Sequence, residues 1–212
     1  MRSRRISKAL TEFPEEQALI PLETPRLVIR PLTEHDAEFV LDLLNQPSFI
    51  QFIGDRQVRT PSDARHYILN GPMAMYELHD LGLCAVTLRS DGTAIGIAGL
   101  IKRETLPNVD LGFALLPAFW KQGYAREASV ALLDHGHRTL GLHRIVAIAN
   151  PDNVVSKRLL RDLGFTSEGT VRLTENGTEL DLLVSTTKDS GNAVNQESSG
   201  EASSSSTTPR VL

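Results

Sequence analysis

In the stretch FWKQGYAREA, Phe119 to Ala128, a glycine stands where a polar turn gives way to a helical pattern. Glycine disfavours helix interiors, but at a strand-to-helix junction it lets another group approach the backbone closely. The first N–H groups of a helix have no internal acceptor and carry partial positive charge. Gly123 therefore either admits a phosphate-bearing ligand or only closes a tight turn. Further along, Asn153 and Ser156 lie three residues apart in ANPDNVVSKRLLRDLGF. On a helix that spacing puts an amide and a hydroxyl on one face, or makes the first a cap and the second a surface serine.

Other chemistries lack their residues. The chain has no GxxxxGK[ST] phosphate loop, no HExxH zinc motif and no GxGxxG fingerprint followed by an acidic residue. His135 and His137 in DHGHR are two apart, so on a helix they point to different faces; they read as surface residues, and no metal is expected. The one cysteine, Cys84, excludes an internal disulfide, and its apolar setting LGLCAVTL reads as a buried strand thiol. Lys and Arg (22) nearly balance Asp and Glu (26), which gives no basic footprint for nucleic acid. No apolar run approaches the roughly 20 residues of a membrane span, so no membrane partner is expected.

These residues need elements to hold them. RLVIRPL (Arg26 to Leu32) alternates as a strand does, and Thr33 with Asp36 opens an amphipathic helix carrying Phe39, Leu41, Leu43 and Leu44. Thr60, Pro61 and Asp63 cap a second helical stretch running to about Leu78. Three strands follow: LCAVTLRS, then AIGIAGLIKR across an Asp91-Gly92 hairpin turn, then VDLGFALL, ended by Pro117. A helix is expected from about Gly123 to Leu140, stopped by Gly141, and HRIVAIAN is a buried strand. PDNVVSKRLLRDLGF is a helix with Asn150 as N-cap, Pro151 in its first turn and Gly164 as its stop. Two last antiparallel strands, from Phe165 and over Glu179 to Thr186, flank the turn Asn176-Gly177.

The fold class is thus mixed α/β, an antiparallel meander leading into a strand-helix-strand unit. With 212 residues the chain fits one domain, placed at 22–187, between tails at 1–21 and 188–212. The first tail is basic in MRSRRISKALTEF but meets Glu12, Glu15 and Glu16 at once. It reads as disordered rather than as an import sequence, so a cytoplasmic location is expected, with the nucleus or the mitochondrion as alternatives. The second tail is Ser/Thr-rich and too poor in apolar residues to fold.

In the order LGFALLPAFWKQGYAREA, then ANPDNVVSKRLLRDLGF, the chain resembles the GNAT superfamily of acetyl-CoA-dependent N-acetyltransferases, over roughly Leu22 to Thr186. Within that superfamily it is most similar to the branch containing ribosomal-protein N-terminal acetyltransferases. The family's pyrophosphate loop is written [QR]-x-x-G-x-[GA]; here Gly123 and Ala125 fill the small positions and Trp120 replaces the leading polar residue. The resemblance implies that Lys121, Gln122, Gly123, Tyr124, Ala125 and Arg126 cradle the pyrophosphate of acetyl-CoA, that Leu115 and Leu116 pair with the pantetheine arm, and that Asn153 hydrogen-bonds it.

It also implies direct attack of a primary amine on the thioester, with no covalent enzyme intermediate. The reaction then needs a base for the ammonium, a donor for the oxyanion and an acid for the thiolate. A backbone N–H near Leu115 is the expected donor and Ser156 the acid. For the base, Glu175 ranks first and Asp110 second, with Asp181 also in view. The acceptor is a protein N-terminus or a small-molecule amine. The alternative is a non-catalytic acyl-CoA-binding or adaptor protein that keeps the fold, for which Trp120 and the lack of the family's tyrosine acid leave room.

Overall fold

The computed structural model describes residues 21–187; both tails lie outside the described residues. The chain opens with a short hairpin, β1 (Leu22–Glu23) and β2 (Leu27–Pro31), then a single 3-10 turn (Glu34–Asp36). Four helices follow: α1 (Ala37–Leu44), α2 (Pro47–Phe52), α3 (Pro61–Ile68) and α4 (Ala74–His79). The meander is β3 (Gly82–Leu88), β4 (Ala94–Ile101) and β5 (Asp110–Leu115). After it come α5 (Tyr124–Asp134), β6 (Arg144–Ala149), α6 (Val154–Asp162), β7 (Thr166–Val171) and β8 (Leu180–Thr186). The strands form one sheet in the order β1-β2-β3-β4-β5-β6-β8-β7. All neighbours are antiparallel except β5 and β6.

Helices cover both faces, as a sheet with apolar residues on each side requires. One core packs Ala128 and Leu132 of α5 with Leu160 of α6 over Ile29, Val86, Ala98 and Leu100. The other packs Val40, Leu43, Phe49, Ala64 and Ile68 of α1 to α3 over Ala85 and Ile97. Adjacent strand residues such as Ala85 and Val86 divide between the cores, as the two-residue strand period dictates. Ile95 and Ile97 would share a face in a regular strand. A register shift pairs Thr87 with Ala94 but Val86 with Gly96, and this bulge turns Ile95 into the opposite core.

Several expected elements take a different local form. The helical stretch after Thr60 is interrupted by a π-turn (Leu69–Met73) that contains Pro72, which has no N–H to continue the α pattern. The helix after Gly123 likewise ends in a π-turn (His135–Thr139). The N-cap of α6 is Asn153, not Asn150. Asn150 instead accepts the N–H of Asp152 at 2.9 Å in a local turn, so Pro151 precedes the helix. His135 and His137 are half-buried rather than surface residues, and His137 Nδ1–H donates to the Leu142 carbonyl at 2.6 Å. Helix α2, with proline at its first position, was not expected from the pattern.

Candidate active site

Strands β5 and β6 are parallel neighbours that pair only at Asp110 with Val146, where the Val146 N–H donates to the Val109 carbonyl at 2.9 Å. Beyond that point they diverge. The Leu116 N–H donates to the Ile95 carbonyl at 2.9 Å, so this end of β5 turns its even-numbered backbone groups to β4. Phe113 and Leu115 therefore present theirs to the side that β6 has left. Of these groups, the Leu115 carbonyl is taken by the indole Nε1–H of Trp120 at 2.8 Å. The N–H groups of Phe113 and Leu115 and the Phe113 carbonyl face the gap.

A cavity of about 160 Å³ fills this gap. Its floor is β5 from Asp110 to Ala114, and one wall is the end of β6 with Asn153 and Ser156 of α6. The opposite wall is apolar and aromatic, from Phe49, Phe52 and Tyr67, with Arg56 and Arg103 beside it. A cavity of mainly apolar lining with a few convergent polar groups is the usual form of a small-molecule site.

At the same end of the sheet, β5 leads through Pro117–Phe119 into the loop before α5. Gly123 is the N-cap of α5 at φ 83°, in the left-handed region, and no side chain caps the first turn. The N–H groups of Tyr124, Ala125 and Arg126 thus keep no helical partner, while Glu127 N–H makes the first bond, to the Gly123 carbonyl at 3.0 Å. Lys121 also sits at positive φ, 59°, a conformation that costs a side-chain-bearing residue about 1–2 kcal/mol. Such strain collects at ligand clamps, where the surrounding structure holds it.

Asn153 is the cap of α6, as the alternative reading had it, and it lines the cavity together with Ser156. Its Oδ1 accepts the Ser156 N–H at 3.1 Å as the helix cap, which leaves its Nδ2 without a protein acceptor among the described residues. The Ser156 side chain is half-buried in the cavity wall.

The three carboxylates separate. Asp110 is 1 % exposed and accepts from Arg103 Nε at 2.9 Å. Burial pushes its pKa above the ordinary carboxylate value, and Arg103 only partly offsets this. Glu175 lies on the exposed loop between β7 and β8 and does not line the cavity. Asp181, on β8, is held by Lys157 Nζ at 2.8 Å. Leu116 also departs from its expected role, since its N–H is already committed to Ile95. Cys84 is buried, and desolvation pushes its thiol up to about 11, with the Tyr76 hydroxyl and Arg30 offsetting part of this.

Arg103 and Arg26 were not picked out from the sequence, and Phe49, Phe52 and Tyr67 lie 43 or more positions before Asp110. Arg103 could have been found by writing the β4–β5 register, which sets Ile101 opposite Asp110 and brings Arg103 back to it. Arg26 is bonded to Glu127 from across the fold. Among the described residues no three His, Cys, Asp or Glu side chains converge as a metal site, and no helix is long and apolar enough to cross a membrane.

Comparison with known proteins adds four findings. The model of the acetyltransferase (GNAT) domain matches residues 26–166. An uncharacterized N-acetyltransferase of Bacillus subtilis, YoaA, is 29% identical over 166 residues, covering 77% of this chain and 93% of the relative. The crystal structure of an acetyltransferase from Agrobacterium tumefaciens superposes with TM-score 0.69 and 26% identity, over 79% of this chain and 95% of its own. The fold is also that of RimL, a ribosomal L7/L12 alpha-N-protein acetyltransferase solved with coenzyme A, at TM-score 0.69 and 17% identity over 79% and 98% of the two chains.

Proposed function

The chain belongs to the GNAT acetyltransferase family, and from that premise we propose that it transfers the acetyl group of acetyl-CoA directly to a primary amine, of a protein N-terminus or a small molecule. The observation that carries this reading is the divergence of β5 from β6 beside the open N-terminus of α5. An extended ligand with an anionic end fits that pair of features: unpaired strand backbone for an amide-bearing arm, and free helix N–H groups for phosphate.

In this reading the loop from Lys121 to Arg126 receives the pyrophosphate, and Phe113 and Leu115, rather than Leu116, offer backbone groups to the pantetheine arm. Asn153 Nδ2 adds a donor from the facing wall. Acetyl-CoA supplies an activated thioester; the residues supply position and proton handling. The amine, in the aromatic end of the cavity, attacks the thioester carbonyl. A β5 N–H at Phe113 or Leu115 stabilises the oxyanion, and the Ser156 hydroxyl hydrogen-bonds the departing sulfur.

The positions of the carboxylates favour Asp110 over Glu175 as the base. Asp110 lines the cavity and has a raised pKa, which makes it a stronger base than an exposed carboxylate, whereas Glu175 faces solvent. We therefore assign Asp110, directly or through one water, as the group that takes the ammonium proton. The non-catalytic alternative ranks below this, because the matching family model and the relatives are named for acetyl transfer.

The test is release of free coenzyme A thiol from acetyl-CoA over a panel of amines and N-terminal peptides, with thermal stability read alongside. Acetyl-CoA should raise the melting temperature, since a ligand that binds only the native state must stabilise it. Thiol release with at least one acceptor supports transfer. Stabilisation without release on any acceptor would favour the non-catalytic alternative. The buried Cys84 thiol keeps the background of such an assay low.

A further inference from the structure

The loop before α5 is tied to the hairpin of β1 and β2 by one arginine. Arg26, immediately before β2, donates Nη1 to the Gln122 carbonyl at 2.9 Å and Nε to Glu127 Oε2 at 2.6 Å. Its backbone N–H donates to Glu127 Oε1 at 2.9 Å, and the Thr24 hydroxyl donates to the same oxygen at 2.6 Å. The guanidinium lies 4.5 Å over the Tyr124 ring, and its Nη2 is the nearest atom, at 3.3 Å, to where a Cβ on Gly123 would be.

This tie has two consequences, the first of them geometric. In a trans peptide the C=O and the next N–H point in opposite directions. Because Arg26 holds the Gln122 carbonyl, the Gly123 N–H is turned to the far side of the loop, away from the hairpin. The second is electrostatic. Glu127 is an acidic residue in the first turn of the helix whose amino end must accept an anion. Left free, its carboxylate would repel that anion; Arg26 neutralises it, and Thr24 with the Arg26 backbone holds it against the hairpin.

We infer that Arg26 is a positioning residue for the phosphate end of the acyl donor, fixing the Gln122-Gly123 peptide and cancelling the charge of Glu127. The inference rests on the proposed binding of acetyl-CoA at this loop. Thr24 and Glu127 complete the clamp. The hydrogen bonds to Glu127 outweigh its partial burial and keep its pKa below the ordinary glutamate value, so the charge to be cancelled is present at neutral pH.

The test is calorimetric titration of the full chain with acetyl-CoA in four forms: wild type, Arg26→Gln, Glu127→Gln and the double variant, with melting temperatures in parallel. Arg26→Gln should weaken acetyl-CoA about tenfold or more, the value of one charge-assisted hydrogen bond. Adding Glu127→Gln should recover at least about threefold, because the uncompensated carboxylate is gone. A merely structural arginine predicts no recovery on the second substitution, and that result would overturn the inference, as would unchanged affinity in Arg26→Gln. A wild type that does not bind acetyl-CoA would instead remove the cofactor reading beneath it. If Arg26→Gln does not fold, Arg26→Lys serves. It keeps the cation but cannot bridge Glu127 and Gln122 together, so it should still weaken acetyl-CoA severalfold, and an unchanged affinity would count equally against the clamp.

Discussion

The indole Nε1–H of Trp120 donates to the carbonyl of Leu115 at 2.8 Å, bridging the end of β5 to the loop that precedes α5. The residue that departs from the family's loop pattern thus commits its one side-chain donor to the strand. It removes from the gap the one backbone group of Leu115 that would present negative charge there, and leaves the Leu115 N–H.

The first prediction compares two substitutions in this loop. Gly123→Val must force a β-branched residue into φ 83° and bring a side chain against Arg26, so acetyl-CoA binding should fall tenfold or more. Trp120→Gln keeps an N–H donor near Leu115 on a half-exposed side chain and should cost about threefold at most. Calorimetric titration of both variants checks this. Equal losses would mean that the loop does not grip through its backbone.

Asp110→Asn should lower kcat by about 100-fold, the usual contribution of a positioned base, with the KM for acetyl-CoA little changed. Burial holds the Asp110 pKa above the ordinary carboxylate value. In the wild type, activity should therefore decline as pH falls through that raised value and the base becomes protonated. The variant should lack this acid limb in a pH-rate profile. A profile of identical shape in both proteins would assign the proton transfer elsewhere.

Ser156→Ala removes a hydroxyl from the wall but leaves the N–H that Asn153 caps. Helix α6 should stay intact, with a melting temperature within a few degrees of wild type. We expect kcat to drop about tenfold, because the departing thiolate loses one hydrogen bond. A thioester with a better leaving thiol should narrow the gap; a constant ratio would speak against a role at the sulfur.

A stability prediction concerns Asp36, 7 % exposed and held by Arg30 at 2.7 and 2.9 Å and by the Thr33 N–H at 2.8 Å. Burial alone would raise its pKa, but the Arg30 and Thr33 bonds together lower it below the ordinary value. A group whose pKa is depressed on folding stabilises the native state above its unfolded pKa, and that contribution fades as pH falls through the folded value. Asp36→Asn should cost about 2–3 kcal/mol at pH 7, by urea denaturation, with the gap to wild type closing in acid. A gap that stays constant with pH would show that packing, not charge, is responsible.

Much of the fold was legible because it is locally encoded. Two-residue alternation marks β2, short apolar runs mark β3 to β5, Asp91-Gly92 marks the hairpin, and Gly123, Gly141 and Gly164 punctuate the helices that follow. The boundaries that moved did so through local competition: Asn150 closes a turn on Asp152, which passes the cap of α6 to Asn153. The proline at position 72 turned one helical stretch into two helices around a π-turn.

By itself the sequence determined most of the elements, the glycine at the helix start and the placing of Asn153 three residues before Ser156, since each depends on residues within a turn of one another. Tertiary structure alone decided which groups face the cavity and in what charge state. Asp110 became a buried carboxylate beside Arg103 because β4 and β5 are in that register, and Glu175 was left in solvent by the β7–β8 loop. Arg26 reached Glu127, 101 positions away, because the sheet sets β2 beneath α5. Burial and long-range pairing fix pKa and orientation, and neither is written in a local pattern.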